Sequence, residues 1–178
     1  KTLEWILILP LTIPTYIAAY AYYDALELLN PVFNWGRSHI GIKETMMLEN
    51  FAIYLIVIIL FSFVLYPYIY LSVRASLLIS GNRLVESAAT LGLPSNKVFS
   101  KLILPFIKPA IIAGLSLVIM ETLNDYAAVE YFGISTLTIG IFRSWFGMYD
   151  MASALKLSSY LILFIFFILV MELSLIHI

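Results

Sequence analysis

Long continuous apolar runs separated by short polar stretches dominate the chain. Four of them can span a bilayer: Trp5–Tyr23, Phe51–Ser72, about Leu102 to Leu123, and Leu157–Ile176. Roughly 20 apolar residues rising 1.5 Å each cross the hydrocarbon core as a helix. Barrel strands would instead alternate over about ten residues, and these runs do not alternate. The pattern predicts an all-α, polytopic membrane helical bundle with about four spans present. Within the runs, prolines come in helical pairs. Pro10 and Pro14 lie mid-span and predict a bend, because each removes a backbone donor and crowds the preceding turn. Pro105, one turn before Pro109, is expected to open the third span.

Composition sharpens this. The chain is 62% hydrophobic and 12% charged, with mean hydropathy +0.99. A soluble domain carries about twice that charged fraction, so the lipid bilayer is the expected solvent. The net charge of −1 offers no basic field for nucleic acid. There are no cysteines, hence no thiolate metal site. The first run is too long and too rich in proline for a signal peptide. With no initiator Met, the chain is expected to begin inside a longer protein.

Loop charge predicts the orientation. Arg74, Arg83, Lys97, Lys101 and Lys108 stand against Glu86 alone between spans two and three. The flanking loops are acidic, with Asp24, Glu27, Glu44 and Glu49 in one and Asp125, Glu130 and Asp150 in the other. The Arg74–Lys108 loop therefore belongs in the cytoplasm, and with it Lys1 and the end after Ile176. Tyr16, Tyr20, Tyr22 and Tyr23 then cluster at the outer end of span one, and Tyr66, Tyr68 and Tyr70 at the inner end of span two. They suit either the headgroup level or packing between helices. A cytoplasmic end lacking Lys or Arg is odd, so no function is drawn from the tail or from His177.

The basic loop carries the most specific pattern. Asn82 is placed to cap a short helix over Arg83–Leu91, Gly92 to stop it in the left-handed conformation, and Pro94 to prevent its continuation. Leu84, Ala88 and Leu91 form one stripe, with Glu86 and Ser87 off it. So short a helix needs a partner surface. Its small residues Ser87, Ala88 and Ala89 allow close approach of a protein groove, and an interfacial helix lying on lipid is about as well supported until the spacing beyond it is read. Glu86-Ser87-Ala88, Gly92 and Leu102-x-Leu104-Pro105 resemble the coupling loop of ABC-transporter permeases: Glu-Ala-Ala, three free positions, Gly, nine free positions, then Ile-x-Leu-Pro. Ser87 and Leu102 are the departures, and the spacing is retained.

At the outer mouth, Glu121 and Asp125 lie four apart on one helix face. They either line a path for a hard cation, which favours oxygen ligands, or brace nearby helices. This passage carries a second resemblance. Glu121-Thr122-Leu123-Asn124-Asp125-Tyr126, Tyr131-Phe132-Gly133 and Ile141-Phe142-Arg143-Ser144-Trp145-Phe146 resemble the ferric-iron importer permeases, as do Leu9-Pro10-Leu11-Thr12-Ile13-Pro14 and Tyr66-Pro67-Tyr68-Ile69-Tyr70. Tyr126-Ala127 stands where those have Phe-Gly, and Phe142 where they have Tyr.

The resemblance implies a transmembrane domain of a type I ABC importer, present in part over residues 1–178, with residues 82–105 as its coupling loop. It resembles the last four spans of an N-terminal half. It implies coupling to the ATPase through Glu86, Ser87, Ala88, Gly92, Leu102, Leu104 and Pro105. The implied partners are a cytoplasmic ABC ATPase dimer, a periplasmic or surface substrate-binding protein and a second permease half, in a bacterial cytoplasmic (inner) membrane. The implied cargo is ferric iron, with thiamine, polyamine or phosphonate-type solutes as the alternative. No cofactor is expected, ATP being bound by the partner ATPase, and no metal site is established. No Gly-x-x-x-x-Gly-Lys phosphate loop, His-Glu-x-x-His or Gly-x-Ser-x-Gly motif is present, and His39 and His177 are isolated, so an enzyme is not expected.

Overall fold

The computed structural model describes the backbone of residues 2–90, 92 and 94–176, and the side chains there except at 2, 3, 80, 82, 89, 95, 96 and 176. Among these residues there are only helices, turns and connecting segments. In chain order the helices are α1 (Thr2–Ile8), α2 (Thr15–Glu27), α3 (Asn30–His39), α4 (Ile42–Thr90), α5 (Ser95–Val98), α6 (Leu104–Asn124), α7 (Ala127–Tyr131), α8 (Leu137–Phe142) and α9 (Met151–Ile176). Ile42–Ile79, Phe99–Asn124 and Met151–Leu175 are long and apolar enough to cross a membrane. The first apolar run is a bent pair, Glu4–Thr12 and Thr15–Glu27, and makes a fourth span if counted as one. Exposed Ile162, Leu163, Phe166 and Phe167 on α9 are what lipid as solvent demands.

The bend has the anticipated cause. Pro10 lies in a 3₁₀ turn over Leu9–Thr12, and Pro14 is the extended residue that starts α2, so the two arms meet at 90°. The Thr12 hydroxyl donates to the Leu9 carbonyl, 2.7 Å away, and satisfies one acceptor at the break.

Two helix boundaries differ from the sequence reading. The separate helix over Arg83–Leu91, capped by Asn82, is the last part of α4, which runs unbroken through Ser80-Gly81-Asn82 to Thr90. Gly and Asn cost a helix interior only about 1 kcal/mol and about 0.5 kcal/mol relative to Ala. Neither removes a backbone donor, so the helix loses less by continuing than by stopping. Pro105 is the second residue of α6, but helix already precedes it as α5 and a π-helical turn over Phe99–Ile103. The Leu104 amide reaches back to the Phe99 carbonyl, and this widened turn receives a proline that has no N–H.

The chain divides into two compact units. One comprises residues 1–65 and 122–161, the other residues 66–121 and 162–178. In the first, Tyr23 of α2 meets Tyr131 and Phe132 beside α7 at ring separations of 5.0 and 5.8 Å, and Tyr20 meets Tyr131 at 6.0 Å. Tyr23 thus packs between helices, while Tyr16 and Tyr20 stay exposed. Arg37 of α3 pairs with Glu49 of α4 at 2.7 Å. In the second unit, Gly114 and Ser116 are buried on α6, and Gly114 lies directly against the α4 backbone at Ile69.

Candidate functional site

At the end of α4 the expected one-sided pattern is present. Ala88 is only 2% exposed and Leu84 is half-buried, whereas Val85, Glu86 and Ser87 are exposed. The Ser87 hydroxyl donates to the Arg83 carbonyl at 2.8 Å, and the Thr90 hydroxyl donates to the Ser87 carbonyl at 2.8 Å. The second bond satisfies a carbonyl in the last turn, where intrahelical donors run out, and the first is a back-bond within the helix. Gly92 then takes φ +68°, with nothing within 4 Å of the place a Cβ would occupy. Pro94 follows in extended conformation and starts α5. Leu91, the third stripe position, and the side chain of Ala89 lie outside the described residues, as does His177.

Beyond the turn, Lys97, Phe99 and Lys101 are exposed, Leu102 is half-buried, and Leu104 and Pro105 are exposed at the entry to α6. The segment therefore presents two helix ends joined through a glycine turn. The Glu86–Ser87 surface lies on one, and the Leu104–Pro105 surface on the other.

Glu121 and Asp125 are each engaged locally. Glu121 is exposed and accepts a hydrogen bond from the Tyr68 hydroxyl at 3.2 Å. Asp125 accepts from the Ala128 amide at 2.8 Å, capping the first turn of α7. Tyr68 carried an interface signal in the sequence but none for this pairing, because the partners sit on different helices.

Some residues of the second resemblance stack together in the unit of residues 1–65 and 122–161. Tyr126 stacks on Phe142 at 4.2 Å, and Phe142 on Phe146 at 5.9 Å. The Tyr126 phenol donates to the Glu130 carboxylate, and this bond is the first cause that holds its pKa above the ordinary tyrosine value. Tyr126, Glu130, Phe142, Arg143 and Phe146 line a cavity of about 230 Å³. A second, of about 300 Å³, is lined by Tyr23, Glu27, Glu49, Glu130 and Tyr131, among others. Thr138 donates to the Leu123 carbonyl at 2.6 Å and ties α8 to the end of α6.

Asp150 makes a helix-starting contact where the sequence reading counted only loop charge. Its carboxylate accepts from both the amide and the hydroxyl of Ser153, which lowers its pKa and starts α9. The signal was available, since Asp150-x-x-Ser153 before an apolar run is an N-cap pattern.

Among the described residues no group of three or more His, Cys, Asp or Glu could hold a metal ion. No curated protein and no solved structure matches the chain. The family described as "Binding-protein-dependent transport system inner membrane component" matches over residues 1–177. A polytopic helical chain matched over nearly its whole length by that family belongs to it: this is an inner membrane component of a binding-protein-dependent transport system.

Proposed function

We propose that the chain is the permease part of an ABC importer for ferric iron, and that residues 82–105 couple closure of a cytoplasmic ATPase dimer to translocation. Family membership makes it a multi-pass membrane transport subunit, of a permease family and not an enzyme family, with ATPase and binding-protein partners in general. The finer reading rests on one observation. The left-handed Gly92 ends α4 just beyond the exposed Glu86 and Ser87, and the chain returns through Pro94 to Leu104-Pro105. A short helical end with small and acidic exposed residues offers little to lipid but fits a protein groove.

The proposed setting is a bacterial cytoplasmic membrane with the Arg74–Lys108 loop inside, a second permease half alongside and a binding protein docking outside. ATP is held by the partner ATPase, and the permease needs no cofactor of its own. Glu121 and Asp125 shape the outer mouth through Tyr68 and α7. Iron is supported by the resemblance of the 121–146 passage to the ferric-iron importer permeases, within which Tyr126 stacks on Phe142 and both line a cavity with Glu130 and Arg143. The alternative cargo is a thiamine, polyamine or phosphonate-type solute. The test is uptake by proteoliposomes carrying the full complex with ATPase and binding protein, presented in parallel with ferric iron, thiamine, putrescine and a phosphonate. ATP-dependent uptake of ferric iron alone supports the proposal. Uptake of another solute in its place keeps the machine and replaces the cargo.

A further inference from the structure

In the unit formed by residues 66–121 and 162–178, a cavity of about 590 Å³ lies between α4 and α6. Its walls include Tyr66, Tyr70, Leu77, Ile107 and Ile111, and among the described residues Arg74 is the one charged residue in its lining. The cleft arises because α4 and α6 touch at Ile69 and Gly114 and enclose open space beyond that crossing, toward the Leu77 end of α4.

Charge fixes its depth. On α4 no Asp, Glu, Lys or Arg occurs between Glu49 and Arg74, and on α6 none occurs between Lys108 and Glu121. Arg74 and Lys108 therefore mark the same boundary of the hydrocarbon, with Lys108 exposed next to the lining residue Ile107. By the orientation proposed above, that boundary is the cytoplasmic one. The geometry points to a binding site for an anionic phospholipid: one acyl chain lies along the apolar walls, and the headgroup phosphate sits on Arg74. Guanidinium matches phosphate in charge and in bidentate geometry. Basic pockets between membrane helices at this depth recognise anionic headgroups. A zwitterionic lipid would fill the walls equally but would gain less from the cations around the mouth.

The test is native mass spectrometry of the full chain in detergent, titrated with phosphatidylglycerol or phosphatidylcholine, with inorganic phosphate as competitor. Phosphatidylglycerol is expected to bind one molecule at the site, about five- to tenfold more tightly than phosphatidylcholine. Arg74→Gln should erase that preference and leave phosphatidylcholine binding unchanged. Arg74→Lys should keep part of it, which separates charge from folding. Ile111→Trp, which fills the cleft, should weaken both lipids. Helix content measured by circular dichroism must be the same in every variant compared. Three results would overturn the site: an undiminished phosphatidylglycerol preference in Arg74→Gln, displacement of the lipid by inorganic phosphate, or a chain dimer formed in place of the lipid adduct.

Discussion

A Cβ placed on Gly114 would lie 2.6 Å from the Cα of Ile69 and 3.2 Å from the Tyr68 carbonyl oxygen. The α4 and α6 backbones therefore meet at a point that admits no side chain. Membrane helices gain packing this way, since lipid offers no hydrophobic reward for association. Because the neighbour is backbone, it cannot rotate aside. Gly114→Ala is expected to destabilise the folded chain by about 1–3 kcal/mol, and Gly114→Leu to prevent its accumulation. Thermal unfolding in nanodiscs checks this, and a native melting temperature for Gly114→Ala would refute the close crossing.

The bond from Tyr68 to Glu121 gives a second expectation. If Glu121 braces the mouth, Glu121→Gln retains an acceptor and should transport at close to the native rate. Glu121→Ala and Tyr68→Phe should lose a comparable amount of stability, about 0.5–1.5 kcal/mol. A carboxylate that contacts a cation would behave differently, with Gln and Ala equally defective in uptake and Tyr68→Phe harmless. Uptake and melting measured on the same three variants separate the two cases.

Asp150 predicts a pH dependence. Its hydrogen bonds from Ser153 hold its pKa below the ordinary carboxylate value. A depressed folded pKa means that the unfolded chain binds the proton more readily. The stabilisation is thus complete above the unfolded value of about 3.9 and is lost as pH falls through the lowered folded value. Proteolysis at the start of α9 should be slow at neutral pH and accelerate in acid. Asp150→Ala should be cut rapidly at every pH, so the two proteins converge only at the acid end. A constant difference between them across the range would remove Asp150 as the cap.

The coupling segment predicts a graded response at Gly92. Open space surrounds the position, so the cost of a side chain there is conformational rather than steric. Aspartate tolerates the left-handed region better than most residues, and a β-branched residue does not. In the assembled complex Gly92→Asp should reduce uptake mildly and Gly92→Val severely, with both proteins inserted normally. Glu86→Lys, on the exposed side, should also abolish uptake. Equal, native uptake by Gly92→Val and Glu86→Lys would contradict the coupling role.

Much of this was legible because lipid imposes a simple grammar. Continuous apolar runs had to be helices, and Pro10 with Pro14 had to interrupt one of them. The left-handed Gly92 followed from its place between a helical stripe and Pro94. The end of α4 was misread at Gly81-Asn82, where residues that punctuate soluble loops cost a long helix too little to break it. The pairings of Tyr23 with Tyr131 and of Tyr68 with Glu121 were not legible, because they join helices far apart in the chain and no periodicity encodes them. The residues of the coupling motif were readable by spacing, and their exposure was not. Ala88 is buried while its neighbour Ser87 is open, which defines the face a partner would meet.

That face supplies the most direct measurement. A single cysteine is placed at Ser87, and another, in a separate protein, at Asn50 near the opposite end of α4. Each is assembled with the ATPase and the binding protein and treated with a short thiol crosslinker. The Ser87 cysteine should join the ATPase subunit, with a yield that changes between nucleotide-free and ATP-bound states, and the Asn50 cysteine should not. No crosslink from Ser87 in either state, in a complex that still transports, would contradict the assignment of this segment as the link between ATPase and permease.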